Sequence, residues 1–70
     1  MEKFNHLWNG PACAIIATAK EIKVFAERHV DENGHVVINV HGIHRYVKWK
    51  SLGAGLYRVY TWDIAAPPEK

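Results

Sequence analysis

Apolar and polar positions change their spacing partway along the chain. From Pro11 to Val30 the period is helical. At about 100° per residue, Phe25, Thr18, His29, Ile22, Ile15, Ala26, Ala19 and Val30 fall on one arc, with Glu27, Lys20, Asp31, Arg28 and Glu21 opposite. Pro11 suits a first helical turn, where its missing N–H costs nothing. Asn9-Gly10 turns the chain before it, and Asp31-Glu32-Asn33-Gly34 stops the helix after it. After Gly34 the period becomes two. Val36, Ile38 and Val40 alternate with Val37, Asn39 and His41, and Gly42 breaks the run. Ile43 to Lys50 reads as a second strand and Leu56 to Ile64 as a third, joined by the hairpin loop Ser51-Leu52-Gly53-Ala54-Gly55.

These elements predict an α+β fold: one N-terminal amphipathic helix packed on a three-stranded antiparallel sheet, in the order αβββ. An all-β alternative stays open if residues 20–30 form a strand, because Ile22, Val24, Ala26 and Val30 also alternate and Asn33-Gly34 is a hairpin signal. The expected core is Val36, Ile38, Val40, Val47 and Trp49 from the sheet, against Ile15, Ala19, Ile22 and Ala26 from the helix. Phe4, Leu7 and Trp8 form a further apolar cluster, either a lid on this core or a docking patch for another subunit or protein. Residues 1–64 are expected to form a single compact domain, and residues 65–70, Ala-Ala-Pro-Pro-Glu-Lys, a loose tail.

Length and composition narrow the class. Seventy residues with 49% hydrophobic and 23% charged positions suit one small globular domain. Cys13 is the only cysteine, so no internal disulfide can staple the fold, and a lone thiol suits a reducing compartment. There is no apolar run long enough for a bilayer span and no basic-then-apolar leader, so the expectation is a cytoplasmic protein with no membrane partner, intact from Met1.

The net charge of +2 is uninformative until it is split by segment. Residues 1–32 carry Lys3, Lys20, Lys23 and Arg28 against Glu2, Glu21, Glu27, Asp31 and Glu32, a net of −1. Residues 33–62 carry Arg45, Lys48, Lys50 and Arg58 with no acid at all, a net of +4. Asp63, Glu69 and Lys70 return the tail to −1. The positive charge therefore sits on the sheet.

That segregation suggests a polyanion-binding face. In the second strand, His44, Tyr46, Lys48 and Lys50 share one side; in the third, Arg58, Tyr60 and Trp62 do. Cations attract phosphates and flat rings stack on unpaired bases. The expected nucleic-acid contacts are Arg45, Lys48, Lys50 and Arg58 on phosphates, Tyr46 and Tyr60 stacking or flanking, and His44 beside them. Imidazole gains a proton on mild acidification, so such binding is expected to strengthen there. A homodimer would double the footprint. The plainer reading is an ordinary polar strand face whose lysines blunt an edge.

Catalysis is not expected. Ser51 has no nucleophile-elbow context, Gly53-Ala54-Gly55 joins two strands and opens no helix, and no paired carboxylates stand out. Cys13 would need a histidine base such as His6 or His44, which nothing in the sequence specifies. His41, His44, His35 and Cys13 offer one short-spaced ligand pair where structural zinc uses two, so neither a metal nor another cofactor is expected, and no small-molecule substrate. The alternative function, from a different class, is a protein-binding regulator or inhibitor that occludes a host protein surface, anchored by Trp8, Tyr57, Tyr60 and Trp62.

Tyr46-Val47-Lys48-Trp49-Lys50 and Thr61-Trp62-Asp63 resemble the strand signature of chromodomains, which read methylated lysine in an aromatic cage. The likeness spans fewer than ten residues, the helix here precedes the sheet, and the acidic stretch of those modules is missing. We treat it as convergent strand composition and carry no residue over. In general style the chain resembles the small accessory proteins of phages and mobile elements.

Overall fold

The computed structural model describes residues 2–64. The tail at 65–70 lies outside the described residues. A 3-10 helix, Glu2–Asn9, comes first. It is followed by β1 (Ile15–Thr18), α1 (Ala19–His29), β2 (Val37–Val40), β3 (Ile43–Gly53) and β4 (Leu56–Asp63). The strands form one antiparallel sheet in the order β1-β4-β3-β2. The α+β class is as expected, but the sheet has four strands where three were expected, and α1 lies between the first and second of them.

The additional strand is cut from the expected helix. Residues 15–18 pair with β4, Ile15 opposite Val59 and Thr18 opposite Leu56. What ends β1 and starts α1 is Thr18. Its extended backbone caps the helix, its hydroxyl accepts the Glu21 N–H at 3.3 Å, and the Glu21 carboxylate accepts the Thr18 N–H at 3.0 Å. This reciprocal capping box satisfies two amides that would otherwise lack partners at the helix start. Lys3 Nζ adds an ion pair to the same carboxylate at 3.0 Å. The all-β alternative is thereby excluded, since residues 20–29 are helical. At its other end α1 stops at Val30, whose N–H donates to the Ala26 carbonyl before the chain bridges to Val36.

The 3-10 helix and α1 cover one side of the sheet. Phe4 and Leu7 are fully buried against Ile22 and Phe25 from α1 and Ala17, Ile38, Val40, Val47 and Val59 from the sheet. Phe4 and Phe25 stack with ring centroids 4.4 Å apart. Each such aromatic contributes roughly 1.5–3 kcal/mol by leaving water, a large share for so short a chain. Trp8 closes the rim, its ring edge-on to Phe25 at 5.9 Å and tilted over His29 at 5.6 Å. Two expected core members are displaced. Ala19 is exposed in the first turn of α1, and Trp49, on the inward period of β3, is still 39% exposed.

Both hairpins use two-residue turns with left-handed backbone. His41 (φ 52°) and Gly42 (φ 84°) join β2 to β3, where the Asn39 side chain accepts the Gly42 N–H at 2.8 Å. Ala54 (φ 53°) and Gly55 (φ 74°) join β3 to β4. Positive φ at both central positions is the turn that matches the twist of paired strands. The β3–β4 ladder carries one extra residue on β3 between Ser51 and Gly53, a bulge that carries β3 beyond the expected end at Lys50.

Candidate nucleic-acid interface

The side of the sheet away from the helices is built by alternation on β3 and β4. On β3 it carries His44, Tyr46, Lys48 and Lys50, and on β4 Arg58, Tyr60 and Trp62, while Val47 and Val59 turn inward. Cross-strand register then sets the neighbours. Lys50 lies opposite Arg58, Lys48 opposite Tyr60, and Tyr46 opposite Trp62. The outer surface thus grades along the strands from a pair of cations near the hairpin to a pair of rings near the middle. Ile16 on β1 borders Arg58, and Val37 on β2 borders Tyr46.

The rings are held in place by packing. Tyr46, Tyr60 and Trp62 are half-buried. The His35 ring meets Tyr46 edge-on at 5.1 Å, and the Lys48 ammonium sits 5.4 Å from the Trp62 ring centroid. A cation over an aromatic face is attracted by the ring quadrupole. Partly shielded rings of this kind lose little freedom when something flat is laid on them.

Electrostatics is the distinctive feature. Lys50 and Arg58 are direct cross-strand partners, an arrangement in which like charges repel. No acid lies on this face among the described residues. Asp63, the acid within the four strands, lies on the helix side, where its carboxylate is 3.9 Å from the Arg45 guanidinium.

Arg45 itself is a correction. It was expected to contact phosphate, but it shares the inward period of Val47 and lies under the rim of the sheet, its side chain only 13% exposed. Its Nε donates to the Thr61 hydroxyl at 2.8 Å and its Nη2 to the Thr61 carbonyl at 3.2 Å. Thr61, buried, donates in turn to the Pro11 carbonyl at 3.5 Å. Arg45 is thus a fixed structural cation. The physical reason is the period of two: a residue one step from Tyr46 cannot share its face.

The four anchors of the protein-partner alternative do not form one surface. Tyr60 and Trp62 are on the outer face, Tyr57 packs on the core side opposite Ala17, and Trp8 sits on the rim against α1. His41 occupies the β2–β3 turn. Among the described residues, no group of three His, Cys, Asp or Glu side chains is placed to hold a metal ion, and no helix is long and apolar enough to cross a membrane. Comparison with known families, curated proteins and solved structures finds no match to this chain.

Proposed function

We propose that this protein is a small non-enzymatic binding module that engages nucleic acid through the outer face of its sheet. The observation that carries this reading is the Lys50–Arg58 cross-strand pair, on a face that holds no acid among the described residues, one step along the ladder from Lys48 and Tyr60 and two from Tyr46 and Trp62. The mutual repulsion of the pair becomes attraction when a phosphate lies between the two cations, so a polyanion offsets a cost built into the free protein. Lys48, Lys50 and Arg58 act on phosphates. Tyr46, Tyr60 and Trp62 offer ring surface for bases, and His44 adds a donor at the end of the face.

Three phosphate contacts make a modest binder, in the range on the order of 10⁻⁴–10⁻⁶ M expected of sequence-independent association. Fluorescence anisotropy at low salt with labelled oligonucleotides tests this. Binding that weakens in the Lys50→Ala/Arg58→Ala double variant is expected. No binding at protein concentrations on the order of 10⁻⁴ M would sink the proposal. Regulation of a host protein has less support, because its anchors are spread over the core side, the rim and the outer face.

A further inference from the structure

The outer face does not end at Tyr46. On the β2 side it runs into an open groove at the C-terminal end of α1, lined by Arg28, His29, His35, Asn39, His44 and Tyr46. His44 and Tyr46 belong to both surfaces, so groove and face are continuous. Among the described residues the one acid in the groove wall is Asp31. Its Oδ1 already accepts the backbone N–H groups of Asn33 and His35, each at 2.9 Å.

We infer that the ligand of the sheet is a single strand, and that its path leaves the sheet past Tyr46 and enters this groove, where Arg28 and the imidazoles take a further phosphate. The inference rests on the nucleic-acid reading above. The rings of Tyr46, Tyr60 and Trp62 lie between the two groups of donors, so a ligand that spans both must pass over them, and only unpaired bases present faces for stacking. From Lys50 to His44 the strand runs six residues, roughly 20 Å, room for several nucleotides in extended form. The path also turns from the sheet into the groove beside the β2 edge. A flexible strand follows such a turn, whereas a duplex of that length is a stiff rod.

The test is anisotropy at fixed low salt with labelled oligothymidylates of about four and about twelve nucleotides and a duplex of the longer length. The wild type, Arg28→Ala and Lys50→Ala proteins are compared. Arg28 is exposed on α1, so its removal leaves the fold intact. The longer single strand is expected to bind more tightly than the duplex. Arg28→Ala should weaken the longer strand by about fivefold and leave the shorter one unchanged, while Lys50→Ala weakens both. If Arg28→Ala leaves the longer strand unaffected, or if the duplex binds as tightly as the single strand, the inference is overturned while the sheet reading stands. If nothing binds, both fall together.

Discussion

Arg45 shows how a single residue can carry the right charge and the wrong role. It lies within the acid-free stretch, beside residues that do face outward, and charge alone groups it with them. Only the alternation of the strand separates it, and the structure adds its partners, Thr61 and Asp63. Its removal is expected to cost about 1–3 kcal/mol of stability, since the buried Thr61 hydroxyl loses a charged donor. Arg45→Ala should therefore lower the urea midpoint and leave oligonucleotide affinity unchanged. A variant as stable as the wild type but weaker in binding would return Arg45 to the interface. Glu21 is the titrating counterpart at this scale. The Thr18 backbone N–H, with Lys3 beside it, holds the Glu21 carboxyl below its ordinary value. A carboxyl held low in the folded state adds stability that is complete above its ordinary value and vanishes as pH falls through the lowered one. The difference in Tm between wild type and Glu21→Gln should accordingly be present at neutral pH and disappear in acid; a pH-independent difference would contradict this.

Among the elements, local signals were legible and long-range pairing was not. The two hairpin strands, the alternation on each, and the sidedness of Lys48, Lys50, Arg58, Tyr46, Tyr60 and Trp62 follow from period two, a property of adjacent residues. The division at Thr18 was harder. Ile15, Ala19 and Ile22 satisfy a helical arc, and the four residues of β1 are too few to show a period of their own. The pairing of β1 with β4 joins residues some forty positions apart, and nothing local encodes it. One local signal did exist: Thr18-Ala19-Lys20-Glu21 has the capping-box spacing and marks the helix start. The β3–β4 turn stores strain at one residue. Ala54 adopts φ 53°, where an L side chain is strained. Ala54→Gly should relieve that strain and raise stability by about 0.5–1 kcal/mol in urea unfolding. A loss of stability would mean that the turn is held differently.

The whole molecule divides its labour by face. The 3-10 helix and α1 bury one side of the sheet, with Phe4, Leu7, Ile22 and Phe25 supplying apolar bulk. Among the described residues the other side carries no covering helix, and onto it the fold sorts Lys48, Lys50 and Arg58 while Asp63 goes to the opposite side. The +4 segment read from the sequence becomes, in three dimensions, a face with three strong cations, because one of the four is turned inward. Each phosphate contact on a single strand contributes about −0.7 to the slope of log K against log salt, so three contacts give about −2 and four give nearly −3. The central claim is tested most directly by measuring that slope for an oligonucleotide of about four nucleotides, which occupies the sheet alone, with the wild-type, Arg45→Ala and Lys50→Ala/Arg58→Ala proteins. The account predicts about −2 for the first two and about −0.7 for the third. A slope near zero in the wild type, or one that the double substitution leaves unchanged, would contradict it.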